Sequence, residues 1–158
     1  MVCVRVVAGD GDWPAWRDAR VAALTDAPHA FTSRLEDWAR GGEDAWRERY
    51  TTAGAHNLVA SLDGRTVGMA RGVPEGCGVA VLHSVWVAPD ARGRGVGDRL
   101  VAAIEAWARH TGARTLLLAV FAGNDGAIAL YRRHGFTPDG EVLRDGTSRE
   151  LVMAKPLE

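Results

Sequence analysis

The chain has 158 residues, of which 47% are hydrophobic and 25% are charged, a composition typical of a single globular domain over residues 1–158. Its net charge of −1 favours neither nucleic acid nor an anionic membrane as a partner. We expect a cytoplasmic protein, because no apolar run approaches the ~20 residues of a membrane span and no secretory signal is visible. We expect no metal site, because Cys3 and Cys77 lack metal-ligand spacing.

The first half of the chain predicts an N-terminal strand, helices and an antiparallel meander. In chain order the predicted elements are a strand at Val2–Ala8, a helix from Asp12 to a stop before Pro28, two short helices within Leu35–Tyr50, and strands at His56–Leu62, Arg65–Val73 and Val79–Val87. The dipeptide Asp63-Gly64 between two of these strands is a strong hairpin signal.

The second half predicts an alternation of helices and strands. An amphipathic helix begins near Val96 and ends at Gly112, and the apolar run Thr115–Phe121 is typical of a strand buried on both faces. Asn124 predicts the start of a further helix that closes at Gly135. Strands at Phe136–Val142 and Ser148–Ala154 follow, joined by a turn at Asp145-Gly146. The order indicates an α/β fold with antiparallel hairpins at both ends and a parallel strand-helix-strand unit in the middle.

The most informative stretch runs from Val85 to Gly97, where an apolar strand enters a loop of glycines and arginines and then a helix. Glycines let the backbone approach a ligand, and the N–H groups at a helix start attract anions, so this order predicts a phosphate or pyrophosphate site. A P-loop is excluded because the only lysine is Lys155, and a dinucleotide fingerprint fails because Asp98 replaces its third glycine.

Two motifs resemble those of one family. The loop Arg92-x-x-Gly95-x-Gly97 is similar to the Q/R-x-x-G-x-G/A motif of the GNAT superfamily of acyl-CoA-dependent N-acyltransferases. The segment Asn124–Phe136 resembles that family's N-x-x-A-x-x-L-Y-x-x-x-G-F helix. The resemblance implies a GNAT-like mixed sheet with antiparallel N-terminal strands, a central parallel pair that splays apart, and helices on both faces. It also implies acetyl-CoA as co-substrate and a primary amine, in a small molecule or peptide, as acceptor, with a homodimer as one possible assembly.

The resemblance further implies where coenzyme A would bind. The main chain of Val85 and Val87 would hold the pantetheine arm. The pyrophosphate would lie on the loop residues Arg92, Gly93, Arg94, Gly95, Val96 and Gly97. The arginines have a second interpretation as solvated loop charges. Asn124 is a cofactor ligand by resemblance, although its role as a helix cap alone explains it. Trp86 is better interpreted as a packing residue.

Tyr131 is the strongest candidate for chemistry, because the tyrosine of this motif protonates the departing thiolate of coenzyme A in the family. A phenol with a reference pKa of about 10 stays protonated at neutral pH and can serve this purpose. The alternative is a core tyrosine whose hydroxyl merely finds a partner.

The general base is less clear, because the positions where many relatives carry a glutamate hold Val81 and Ala119. His83 is the nearest titratable candidate, with Ser84 or a chain of waters as alternatives. Aromatic and acidic residues in the predicted N-terminal helices, such as Glu36, Asp37 and Trp38, form the candidate acceptor surface without naming a substrate. Trp38 and Trp46 are better interpreted as packing residues, and acidic faces on exposed helices are common. The leading hypothesis is direct attack of the amine on acetyl-CoA in a ternary complex; the rival is a non-catalytic acyl-CoA-binding sensor or interaction module.

Overall fold

A computed structural model describes residues 2–8, 11–26, 50, 54–144 and 148–157. The seven strands are β1 (Val2–Val7), β2 (His56–Leu62), β3 (Arg65–Gly76), β4 (Val79–Val87), β5 (Thr115–Phe121), β6 (Thr137–Arg144) and β7 (Ser148–Pro156). The described α-helices are α1 (Trp13–Asp26), α2 (Val96–His110) and α3 (Asp125–Arg133), and a short 3₁₀ helix spans Pro89–Ala91. None of the helices in these ranges is long and apolar enough to cross a membrane.

The described strands form one sheet in the order β1-β2-β3-β4-β5-β7-β6. Strands β1 to β4 form an antiparallel meander, and β5, β7 and β6 form a second antiparallel set. The two sets meet at β4 and β5, which are parallel. Helix α2 connects these two strands, as a parallel pair requires a crossover. The mixed α/β fold expected from the sequence is therefore confirmed.

Helices α1 and α2 pack on opposite faces of the sheet, as neighbouring residues of β3 show. Arg71 lies over the ring of Trp16 in α1, with 5.7 Å between the guanidinium carbon and the ring centroid. A Cβ at Gly72 would lie 2.4 Å from Trp107 of α2, so glycine lets this helix approach the sheet. Burial follows the predicted apolar stripe of α2, with Trp107 partly buried and the other members buried: Val96, Leu100, Val101, Ile104 and Ala108.

Strand β4 contains a bulge that reverses the facing of its side chains. Arg71 pairs with His83 and Met69 pairs with Trp86, so three steps along β4 match two steps along β3. The extra residue lies at Ser84 and Val85, and Ser84 has a positive φ of 59°. As a result Trp86 shares a face with Met69 and reaches α1, which an uninterrupted alternation from His83 would not allow.

Strands β4 and β5 pair over only three positions and then separate. The pairs join Val79–Val81 to Thr115–Leu117, and the later residues of the two strands have no register partners in each other. Beyond this point β5 pairs with β7 alone, through Phe121. The splayed parallel pair implied by the family resemblance is thus present.

Several boundaries and one burial prediction need correction. Strand β3 continues to Gly76 instead of ending at Val73, because its turn lies at Cys77 and Gly78, both with positive φ. The run Thr115–Phe121 is not buried on both faces: Leu116, Leu118 and Val120 are buried, whereas Ala119 is exposed. The second face of β5 carries Leu117, which is half-buried, and Ala119.

The turn predicted at Asp63-Gly64 and the helix end predicted at Gly135 are confirmed. Asp63 and Gly64 both have positive φ, as a type I′ hairpin turn requires. Gly135 ends α3 with φ 88°, and the Phe136 N–H donates to the Tyr131 carbonyl at 3.1 Å in a Schellman arrangement. The helices within Leu35–Tyr50 fall outside the described residues except for Tyr50, as does the turn at Asp145-Gly146.

Candidate functional site

A cavity of about 700 Å³ lies at the splay, where the ends of β4, the N-terminus of α2 and helix α3 meet. Its lining includes the main-chain positions Val85 and Val87, the loop residues and the Tyr131 ring. The cavity exists because β4 and β5 separate after three pairs and leave an opening between parallel strands. Ligand sites in sheets of this kind form where strands diverge at their carboxyl ends.

The wall at the end of β4 is a loop whose backbone faces open space. Gly93 and Gly95 have φ values of 78° and 81°, conformations that L side chains rarely adopt. A Cβ added to either residue would meet nothing within 4 Å. The glycines are therefore needed for the backbone conformation, and the space beside them is open. Gly95 is the N-cap of α2 and brings no side chain to its N–H groups. The loop therefore fits an anionic group such as a pyrophosphate.

Gly97 has a different reason to be glycine. A Cβ there would lie 3.1 Å from Leu130 of α3 and 3.7 Å from Val87. The missing side chain allows α2 and α3 to approach each other beside the cavity. Gly97 lines the cavity, but its packing against Leu130 alone explains the residue type.

Arg92 is held by protein groups at the cavity edge. Its Nε donates to the Val87 carbonyl at 3.1 Å and its Nη2 donates to Asp26 Oδ2 at 2.9 Å. The guanidinium is therefore ordered by two contacts and is not simply a solvated loop charge. Arg94 lies away from it, beside Asp63, Arg65 and Asp90 in a second, smaller cavity.

Tyr131 enters the main cavity from helix α3. The residue is buried, and its ring contacts Phe136 edge to face with 6.0 Å between centroids. Burial raises the pKa of Tyr131 well above 10.0, which keeps the phenol protonated throughout the physiological range. Asn124 caps the same helix, because its Oδ1 accepts from the Ala127 N–H at 3.4 Å, and it also lines the cavity.

Comparisons with known proteins agree with this geometry. A model of the acetyltransferase (GNAT) family matches residues 13–136. The chain belongs to the GNAT family. It is 30% identical over 159 aligned positions, 96% of this chain and 92% of the relative, to an aminoglycoside N(6')-acetyltransferase type 1 of Stenotrophomonas maltophilia.

Another curated relative is an L-methionine sulfoximine/L-methionine sulfone acetyltransferase of Pseudomonas paraeruginosa, 36% identical over 107 residues. That alignment covers 65% of this chain and 62% of the relative's length. Among solved structures, a ribosomal-protein-alanine N-acetyltransferase from Brucella melitensis superposes with a TM-score of 0.72 at 30% identity, covering 98% of this chain and 99% of that one. Acetyl-CoA is the co-substrate of the GNAT family.

His83 lies on β4 just before the bulge and does not line the cavity that holds Tyr131. Its pKa is lowered by desolvation first and then by the positive charge of Arg71, with Arg20 adding to the effect and Glu75 opposing it. His83 is therefore neutral at pH 7, which a base requires. Val81 lies in β4 and Ala119 in β5. The correspondence of these two positions with the glutamates of GNAT relatives stays a prediction.

The start of α2 is joined to the end of α3 by a cluster that sequence reasoning did not identify. Asp98 lies 2.9 Å from His134 Nε2 and accepts from Arg133 Nη2 at 3.2 Å. Desolvation alone would raise the pKa of Asp98, but these contacts outweigh it and lower the pKa. Arg133 and His134 therefore offset the negative charge of Asp98 next to the glycine-rich loop. In the sequence, the only sign of this residue was its place directly after Gly97.

The structure thus brings together all but two of the predicted site residues. The cavity is lined by Val85, Val87, Arg92, Gly93, Gly95, Val96, Gly97, Asn124 and Tyr131, while Arg94 and His83 lie outside it. Trp86 is buried, as predicted for a packing residue, although its edge also reaches the cavity. The candidate acceptor residues around Trp38 lie outside the described residues.

Proposed function

We propose that this protein is an N-acetyltransferase that moves an acetyl group from acetyl-CoA to a primary amine by direct attack in a ternary complex. The observation that carries the proposal is one cavity between the splayed strands, with an anion-binding loop at one end and a buried phenol beside it. Membership of the GNAT family and the names of its relatives support the same reaction class.

The loop would bind the pyrophosphate of coenzyme A through main-chain N–H groups between Gly93 and Gly97. The pantetheine arm would run along Val85 and Val87 at the open edge of β4. Ser84 and Val85 have no register partner in β3 or β5, so their backbone groups are suited to a ligand. An N–H group here would also polarise the thioester carbonyl as the amine attacks.

Tyr131 would donate its proton to the thiolate of coenzyme A as the carbon–sulfur bond breaks. The raised pKa makes the Tyr131 phenol a weak acid, so its hydroxyl would first stabilise the developing negative charge at sulfur by a hydrogen bond. The proton would then move to the thiolate, and the proton released by the attacking amine would restore the phenol. Protonation of the thiolate then prevents the reverse reaction.

A base is required because an amine with a pKa of about 10.4 is mostly protonated at pH 7, at a cost of about 4.6 kcal/mol for the neutral form. His83 is our candidate, acting through solvent because it lies outside the cavity. Its lowered pKa supports the neutral, proton-accepting form. Ser84, at the bulge, could order the intervening water.

An acyl-enzyme route has little support in this chain. The two cysteines, Cys3 and Cys77, are both exposed and neither lines the cavity. Direct transfer also agrees with a site that holds thioester and amine in one opening, where proximity supplies much of the rate.

The test is thiol release from acetyl-CoA by the purified protein with amino acids, L-methionine sulfoximine, aminoglycosides, and peptides with an N-terminal alanine. We expect release that depends on one acceptor class, with an N-acetylated product by mass spectrometry. Tight binding of coenzyme A without release for any amine would contradict catalysis and support the rival, an acyl-CoA sensor, which the absence of a carboxylate at Val81 and Ala119 favours.

A further inference from the structure

Asp26 occupies a position that helix physics disfavours. It is the last residue of α1, where its negative charge faces the negative end of the helix dipole, and the last turn of α1 carries no basic residue. Departures from local preference of this kind concentrate at functional sites. The unfavourable position of this carboxylate is offset by contacts with β4 and the loop that follows it, which are distant in the sequence.

One carboxylate oxygen of Asp26 joins two residues at the cavity edge. Asp26 Oδ2 accepts from Trp86 Nε1 at 3.0 Å and from Arg92 Nη2 at 2.9 Å. The Asp26 side chain is 25% exposed, less than the 56% of Arg92, and it lines the same cavity as the loop. The bulge in β4 makes this possible, because it turns Trp86 towards α1.

Arg92 is thereby fixed at two sides. Its Nε donates to the Val87 carbonyl and its Nη2 donates to Asp26, so two of the five guanidinium N–H donors are used. The remaining donors lie on a guanidinium whose orientation is already set at the cavity edge. A side chain ordered in advance loses less conformational entropy when a ligand binds.

We propose that Asp26 is a positioning residue that holds Arg92 in place for the pyrophosphate of the acyl donor and so couples the end of α1 to the cofactor loop. This inference rests on the proposed function, in which that loop binds coenzyme A. In this role Asp26 would act through Arg92 and would not itself contact the donor or the reacting atoms. If Asp26 instead competed with the pyrophosphate for Arg92, its removal would tighten the binding of coenzyme A instead of weakening it.

The experiment compares Asp26→Ala with two acyl donors, acetyl-CoA and acetyl-pantetheine, which lacks the pyrophosphate. We expect kcat/KM for acetyl-CoA to fall about 5- to 10-fold through KM, with kcat within about twofold, because ordering Arg92 now opposes binding. For acetyl-pantetheine we expect no change. A general disturbance of α1 would lower kcat/KM for both donors alike and would overturn the inference.

Two further variants and a binding measurement sharpen the result. Asp18→Ala is the matched control, since Asp18 lies on α1 in an exposed pair with Arg17, and it should behave as wild type. Asp26→Asn retains an oxygen acceptor and should lose less affinity than Asp26→Ala. In a double-mutant cycle on coenzyme A affinity, measured by calorimetry, Asp26→Ala should have little effect once Arg92→Ala is present.

The binding cycle needs no turnover, so its outcome is separate from that of the proposed function. Additive effects of Asp26→Ala and Arg92→Ala, or tighter binding of coenzyme A by Asp26→Ala, would overturn the positioning role while leaving the acetyltransferase assignment intact. Failure of the wild-type protein to bind coenzyme A at all would instead contradict the proposed function and this inference together.

Discussion

The two functional walls of the cavity are built in different ways. The wall after β4 is a run of main chain from Arg92 to Gly97, shaped by glycines with positive φ that leave space beside them. The wall on α3 depends on one side chain, Tyr131, which is buried against Phe136. The first wall offers several equivalent N–H groups, whereas the second offers a single hydroxyl.

This difference separates binding from chemistry. Main-chain donors are insensitive to most side-chain changes, so the loop should tolerate substitution except where bulk or negative charge enters the space beside it. The phenol has no substitute on its own wall, so its loss should affect the rate and leave binding intact. The predictions below test this separation in order of expected effect.

Gly95→Glu should weaken coenzyme A binding at least about 100-fold, or about 2.7 kcal/mol, because it strains a residue at φ 81° and places a carboxylate beside the pyrophosphate. Calorimetry measures the affinity. Gly112→Glu is the matched control, since Gly112 has φ 88°, open space around it, and a place at the far end of the same helix. Equal losses of affinity in both variants would mean that strain alone is responsible.

Tyr131→Phe should lower kcat about 100-fold or more while leaving KM for acetyl-CoA within about twofold, because the ring and its contact with Phe136 remain and only the hydroxyl is lost. Steady-state kinetics at saturating acceptor measure the effect. Ile128→Val, a small change on the buried face of the same helix, should retain wild-type kcat. Unchanged turnover in Tyr131→Phe would remove the phenol from the mechanism.

His83→Gln should lower kcat/KM about 10- to 100-fold at pH 8 if His83 accepts the proton. The ratio of wild-type to variant activity is the useful quantity, because the titration of the acceptor amine cancels from it. Since burial holds the pKa of His83 below 6.5, this ratio should be constant above about pH 7.5 and fall at lower pH as His83 becomes protonated. His110→Gln, at the exposed end of α2, is the control. A ratio near one at every pH would favour a water chain without His83.

His56 should make a small contribution to the pH dependence of stability. Its ring stacks on Trp107 at 5.4 Å and 6°, and desolvation lowers its pKa below 6.5. The unfolded state then binds more protons between the two pKa values, so the free energy of unfolding falls as pH drops below 6.5.

Denaturant unfolding of His56→Phe, which keeps an aromatic ring against Trp107, should show less loss between pH 7.5 and pH 5.5. Wild type should therefore lose more stability than the variant over this interval, and the difference should be small because the His56 ring is only partly buried. A variant with the same pH dependence as wild type would contradict this account of His56.

Sequence reasoning succeeded where an element and its chemistry are contiguous. The turn at Asp63-Gly64, the cap at Asn124 and the stop at Gly135 are local backbone requirements, and the structure confirms all three. The conformation of the loop from Arg92 to Gly97, with positive φ at Gly93 and Gly95, is of the same kind, whereas its binding role stays a prediction. Its role can be predicted because a glycine-rich turn and a helix N-terminus create an anion site without help from the rest of the fold.

The predictions that failed depend on distant partners. The β4 bulge at Ser84 carries no glycine or proline signal, because its positive φ follows from the register with β3. The exposure of Ala119 depends on what packs over that face of the sheet, and the apolar run Thr115–Phe121 by itself suggests burial on both sides. The position of Asp26 at the end of α1 does not identify its partners, since these lie 60 and 66 residues away.

The sequence by itself therefore determined the order of the described elements, the glycine-rich loop before α2 and the helix that carries Tyr131, since each rests on interactions within a few consecutive residues. Only the tertiary structure decided which faces those elements share. It brought Asp26 to Arg92, joined Asp98 to Arg133, and left His83 outside the cavity that holds the phenol. The physical reason is that strand register and helix docking set these distances, and both are properties of the packed sheet as a whole.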